Sequence, residues 1–330
     1  MRWTRQGRLL GPSDSPRGVW RSHLQMPVLQ PLQENHWRLF FTGRDEHNRS
    51  HGFAAEVECD QSGEMRVVHV HDKPILAPGA LGAFDADGAM PSCLLQQEGE
   101  LWLYYIGWKK GVDRPFETAI GLAVSRDGGL SFERFGSEPV LGMQTADPLA
   151  VSQPLVVRTS EGFAMYYTSV TEWRENSGQL ESIYAIKLGH SRDGLRWTPG
   201  ERPIVDLREG EGGLSRPAVL VHEGRHHMWF GSRGWRDFRD YASHAYHLTH
   251  AISGDGEEWR RDPSSLEFAN SPAPGDWDSI MQSYPAVIRS GDTVYCFYSG
   301  DGFGQAGIGY ATLEGGLSVL SNASAIADTT

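Results

Sequence analysis

Short apolar runs separated by polar turns fill almost the whole chain. Five of these runs open on an X-Pro pair: Met26-Pro27, Met90-Pro91, Gln153-Pro154, Arg216-Pro217 and Tyr284-Pro285. The prolines are spaced by 64, 63, 63 and 68 residues. Each run leads through a polar turn into an aromatic strand. Examples are Trp37-Arg38-Leu39-Phe40-Phe41, Leu101-Trp102-Leu103-Tyr104-Tyr105 and Val294-Tyr295-Cys296-Phe297-Tyr298. Runs of this length, rich in aromatic and β-branched residues and bounded by turn formers, read as strands. Their recurrence at one interval reads as a repeated supersecondary unit.

An Asp-Gly turn marks the same period independently. Asp127-Gly128, Asp193-Gly194 and Asp255-Gly256 lie 66 and 62 residues apart, each followed by an aromatic residue that opens a strand. The glycine supplies the positive φ that a tight turn requires. Four short strands per unit and about 66 residues per unit predict an all-β five-bladed β-propeller, with four antiparallel strands per blade. The expected blades are approximately 13–76, 77–141, 142–206, 207–269 and 270–314. The inner strand of each carries the proline, which is tolerated at a strand's first positions or at an edge. The last unit stops at its third strand. Residues 2–10 resemble Arg196–Ile204, the stretch after an Asp-Gly turn, so they are expected to pair beside 306–313 and remove an open edge. The remaining stretch, 315–330, is small and polar and is expected to fray.

The length alone would allow two domains; the repeat argues for one. Net charge is −12, which disfavours nucleic acid as a partner. Three cysteines, Cys59, Cys93 and Cys296, have no metal-pair spacing and read as buried thiols. No metal or cofactor is expected. His244, His247 and His250 are spaced by three, but strand alternation scatters such residues. No signal-peptide core and no membrane-length apolar run is seen, so a soluble cytoplasmic protein is expected, with no membrane partner. Oligomeric state stays open.

In a propeller, the connections into strand 1 and between strands 2 and 3 share the face around the channel mouth. Acids precede the inner strands there: Asp85 and Asp87, then Asp147, Glu211 and Asp278. Trp108, Trp173 and Trp235 lie in the loops between strands 2 and 3, and Arg233 lies with Trp235. Stacking rings beside carboxylates and arginines suit a sugar.

These residues carry a resemblance. The chain resembles the five-bladed glycosidases of the arabinanase, invertase and levansucrase type. It is more similar still to glycosidase-like proteins of bacterial surface-polysaccharide and secondary-metabolite gene sets. The stretches concerned are Tyr104–Trp108, Ile120–Gly129, Arg216–Val219, and Trp277-Asp278-Ser279 through Tyr284-Pro285 to Gly304. The resemblance implies carboxylate acid/base chemistry at the channel mouth. In the hydrolytic families an Asp stands before the inner proline of blades 1 and 2, and a Glu near that of blade 3. Here those places hold Met26, Met90 and Ser152-Gln153.

Glycoside cleavage needs a protonated carboxyl and an ionised one. Asp87 and Asp278 are the leading acid/base candidates, with Asp147 and Glu211 behind them. Each also fits a loop-capping role. His23, Asp85, Gln153, Arg216, Arg233 and Tyr284 are expected to bind and orient a small-molecule or carbohydrate substrate, and Trp108, Trp173 and Trp235 to wall it. Three readings stay open: a glycoside hydrolase-like enzyme, a non-hydrolytic cyclase, lyase or isomerase on the same fold, or a sugar-binding propeller without catalysis.

Overall fold

A computed structural model describes residues 1–262 and 266–322. The strands in chain order are β1 (Arg2–Leu10), β2 (Ser22–Gln33), β3 (His36–Arg44), β4 (Ser50–Cys59) and β5 (Met65–Val70). Next come β6 (Gly88–Gln97), β7 (Glu100–Lys110), β8 (Phe116–Ser125) and β9 (Glu133–Arg134). They are followed by β10 (Ala150–Thr159), β11 (Gly162–Asn176), β12 (Gln179–Ser191), β13 (Glu211–His222), β14 (Arg225–Gly234), β15 (His247–Ser253) and β16 (Arg260–Arg261). The last are β17 (Glu267–Phe268), β18 (Ser283–Ser290), β19 (Thr293–Ser299) and β20 (Ile308–Leu313).

Antiparallel pairing groups them into successive meanders: β2 to β5, β6 to β9, β10 to β12, β13 to β16, and β18 to β20. Outside β12, the isolated bridges Lys187–Pro203 and His190–Thr198 occupy the outer position. The N-terminal β1 runs antiparallel to β20, with Trp3 opposite Leu313 and Leu10 opposite Ile308. The expected clasp therefore forms, and β17 lies beyond it, parallel to β1. The inner prolines stand within their strands, not at the first positions. Register shifts occur between Gln25 and Val28, Ser152 and Leu155, Ser215 and Ala218, and Ser283 and Ala286. At these bulges the missing proline N–H disrupts no continuous ladder.

Five apolar clusters hold neighbouring meanders face to face. Phe40 and Ala54 of the first pack with Leu103 and Tyr105 of the second. Tyr104 meets Met165 and Tyr167. Tyr166 and Ile186 meet Met228 and Phe230. Trp229 meets Tyr298 and Trp3. Phe297 and Tyr310 of the last meander meet Phe41 and Trp37 of the first. Each Asp-Gly turn is gripped by the preceding meander: Arg38, Tyr104 and Tyr166 donate to the carbonyls of Gly128, Gly194 and Gly256 at 2.6, 2.8 and 2.8 Å. The aspartates cap the turns internally; Asp193 accepts the N–H groups of Leu195 and Arg196. All three cysteines are free and buried. Among the described residues, no helix is long and apolar enough to cross a membrane.

The expected fraying of the final stretch does not hold for Leu317–Asn322, which forms a helical turn with Leu320 buried against Trp229 and Val294. Residues 323–330 lie outside the described residues.

The spaced histidines do not gather. His250 is buried and 3.2 Å from His227, while His247 bonds the Ala242 carbonyl. Burial, with His250 and Arg225 nearby, pushes His227 down to about 3. Burial also lowers His250, outweighing Asp262. Unfolded histidine titrates near 6.5, so between about pH 6.5 and 3 the unfolded chain binds the extra protons. Stability from these groups is full above pH 6.5 and is lost as pH falls. We expect the melting temperature to drop between pH 7.5 and 5, and His227→Phe to flatten that drop. A slope unchanged by the substitution would contradict the assignment.

Candidate functional site

The inner-strand bulges set the site. His23, Met26, Gln153, Arg216 and Tyr284 all have φ between 50 and 58°. Four of them directly precede the inner proline. A non-glycine residue in this region costs about 1–3 kcal/mol, and such strain gathers at functional sites. The bulge re-aims the side chain. At the middle of the inner strands, a cavity of about 130 Å³ is lined by all of them, through Val28, Cys93, Leu155, Arg216 and Val287 among others. Arg216 is buried there. Its guanidinium donates to the Pro27 carbonyl at 2.7 Å, and its backbone N–H donates to Gln153 Oε1 at 2.7 Å. Burial lowers its basicity to about 10. It ties its own strand to two others and, among the described residues, has no carboxylate partner.

A pocket of about 260 Å³ opens where the ends of β11, β12 and β14 meet the bulges of β10 and β18. Gln153, Trp173, Arg233 and Tyr284 line it, as do Glu181, Tyr184, Phe238, Arg239, Tyr246 and Phe303. Arg233, 3% exposed, is fixed from three sides. It donates Nε–H to Tyr184 Oη at 3.1 Å, Nη1–H to the Gly234 carbonyl at 2.8 Å and Nη2–H to the Ser182 carbonyl at 2.7 Å. Its Cζ lies 3.8 Å from the Phe238 ring centre. Arg239 pairs through both terminal nitrogens with Glu181 and also covers Phe238. Trp173 meets Phe116 edge-on at 5.0 Å. Phe303 reaches the pocket from a turn that Gly304 makes possible: a Cβ there would meet the Leu24 carbonyl at 2.1 Å. His23 adjoins this turn through Gln305, and burial with Arg44 nearby pushes it down to about 4.

The acids singled out in the sequence do not line this pocket. Asp85 is buried, accepts the Tyr105 hydroxyl at 3.0 Å and pairs with Arg134 at 2.7 Å. Asp147 accepts Tyr167 at 2.9 Å and Ser169 at 2.6 Å, and pairs with Lys187 at 3.0 Å. Asp278 accepts Tyr298 at 2.7 Å and is clasped by Arg5. Glu211 accepts Ser232 and pairs with Arg261, which hold it below the usual carboxylate range against the effect of burial. These four fasten each loop to an outer strand or to a neighbouring one, and that accounts for the burial of the three aspartates. Among the described residues, Asp87 alone of the five has no cationic partner; it is half-buried and accepts the Lys110 N–H at 2.8 Å. Trp108 packs over Gly88, and Trp235 lies under Arg236 and Arg174, so neither joins the pocket wall. The residues missed by sequence reasoning, Glu181, Tyr184, Phe238, Arg239 and Phe303, sit in or just after the loops already singled out. A wider groove of about 620 Å³, beside Asp292 and Gly315 on the last meander, has no Arg, Lys or His in its wall.

Solved structures of glycoside hydrolases share this fold. A glycoside hydrolase aligns with a TM-score of 0.71 at 17% identity, over 94% of this chain and 91% of its own. The β-fructofuranosidase of Bombyx mori aligns at 0.61 and 14%, over 94% of this chain and 61% of its own. A thermostable family-43 glycoside hydrolase aligns at 0.59 and 15%, over 88% of each. No known family profile matches. The chain belongs to the same family as the uncharacterized proteins MT1551 and Rv1502 of two Mycobacterium tuberculosis strains. Each is 32% identical over 316 residues, 95% of this chain and 100% of the relative.

Proposed function

We propose that this is a single five-bladed propeller, with blades near 13–76, 77–141, 142–206, 207–269 and 270–314 plus strand 2–10, that binds a carbohydrate in the pocket beside Arg233. The five apolar clusters support the ring, because they link each meander to the next and the last to the first. The inner-strand cavity supports it as well. The observation that carries the ligand reading is the pocket wall: Trp173, Tyr184, Tyr246 and Tyr284 offer ring faces and hydroxyls beside Gln153 and fixed arginines. Rings stack on the C–H faces of a sugar, while amide and guanidinium groups bond its hydroxyls.

The wall holds one carboxylate, Glu181, and it is tied to Arg239. Cleavage by paired carboxyls needs two, about 5–9.5 Å apart. The pocket therefore favours binding, or chemistry other than two-carboxylate hydrolysis. Trp173→Ala is expected to weaken sugar binding by about 0.5–1.5 kcal/mol, roughly a two- to twelvefold loss. Calorimetric titration with a panel of pentoses and hexoses checks this; an affinity untouched by the substitution would remove Trp173 from the site.

A hydrolytic reading is favoured by one observation, the Asp87 carboxylate, which accepts the Lys110 N–H and meets no cationic side chain among the described residues. It predicts turnover of aryl furanosides or pyranosides that Asp87→Asn abolishes without lowering the melting temperature. An inactive wild-type protein across that panel would discard it.

A further inference from the structure

We propose that the carbohydrate bound in this pocket carries an anionic group, a phosphate monoester or a uronate carboxylate, held by Arg233 beside Tyr284. The inference rests on the carbohydrate reading and narrows it to a substrate class.

The charge around the pocket runs opposite to that of the chain. The whole protein carries −12. The pocket wall, however, carries two arginines, Arg233 and Arg239, against one carboxylate. Glu181 is the sole carboxylate in the pocket wall, and Arg239 occupies it. Among the described residues of the wall, Arg233 is thus left without a carboxylate.

A guanidinium taken out of water without an anion is an incomplete pair. Arg233 spends three of its five N–H donors on Tyr184, Gly234 and Ser182. Those bonds and the Phe238 ring lock the fork, so the remaining donors on Nη1 and Nη2 lose little freedom on meeting an anion. A planar fork of this kind matches carboxylate and phosphate oxygens. Tyr284, which burial keeps protonated, adds an O–H donor at the same place. A low-dielectric pocket with excess positive charge also concentrates anionic ligands against the repulsion of the whole molecule.

The test is saturation-transfer NMR with calorimetric titration of the full chain. The probes are glucose, galactose and fructose, their 6-phosphates, the matching uronates, and sodium phosphate alone. Phosphate esters and uronates separate the two anion sources. At least one charged sugar is expected to bind ten or more times tighter than its neutral parent, with the gap narrowing as salt rises. Arg233→Gln is expected to close most of that gap. Should it fail to fold, Tyr284→Phe, which removes only an O–H donor from the wall, is expected to shrink it at least threefold. Equal affinity for neutral and charged members overturns the anion assignment and leaves the carbohydrate pocket standing. Phosphate binding with no gain from any attached sugar supports the anion assignment and overturns the carbohydrate reading. No binding by any probe overturns both.

Discussion

Arg5→Met is expected to destabilise the protein by about 3–5 kcal/mol, the cost of stranding a buried charge. Arg5 stands on β1, and its guanidinium clasps Asp278 through Nε at 2.8 Å and through Nη2, which also reaches Asp276 at 3.1 Å. The Asp278 side chain is 0% exposed. With Arg5 removed, its carboxylate keeps only the Tyr298 hydroxyl and must either stay ionised unpaired or take up a proton. Urea denaturation of the single and double variants separates this from loss of packing. Asp278→Asn in the Arg5→Met background should recover part of the loss, because the stranded charge is then gone. A double variant as unstable as the sum of the two singles would show that the pair is not coupled. The same substitution loosens β1 from β20, so the N-terminal segment should become the first site of proteolysis.

Trp229→Ala should cost a similar amount, about 3–5 kcal/mol, for a different reason. The indole is 0% exposed and packs edge-on against Trp3 at 5.9 Å and beside His250 at 5.0 Å. It fills the layer between the fourth meander and the last, with Val294 and Tyr298 around it. Deleting it opens a cavity that backbone anchored in two sheets cannot close. Trp229→Phe should be much milder, because the indole N–H is buried with no acceptor and its removal offsets part of the lost volume. Thermal melts at one pH order the two variants, and equal losses would exclude the cavity account.

The repeat was legible because it is local. An X-Pro bulge, a polar turn, an aromatic strand and an Asp-Gly cap each depend on neighbours within a dozen residues, and they recur at one interval. Even the clasp was legible, since Arg2–Leu10 resembles the stretch after the Asp193 turn. The roles of the acids were readable too, through a signal left unused. Asp85, Asp147 and Asp278 each stand twenty residues before the tyrosine that bonds them: Tyr105, Tyr167 and Tyr298. A spacing kept three times marks a structural fastening of the repeat, whereas a catalytic acid has no reason to recur in every unit.

Sequence alone determined the strands, their order, the turns between them and the loops from which a site could be built, since each follows from residues adjacent in the chain. The tertiary structure decided which side chains of those loops meet. Arg233 finds Tyr184 across 49 positions, and Arg239 finds Glu181 across 58. Arg5 finds Asp278 across 273 and withdraws it from solvent. Charge pairing and burial depend on distance in space, which the closing of one meander on another sets and the order of residues does not.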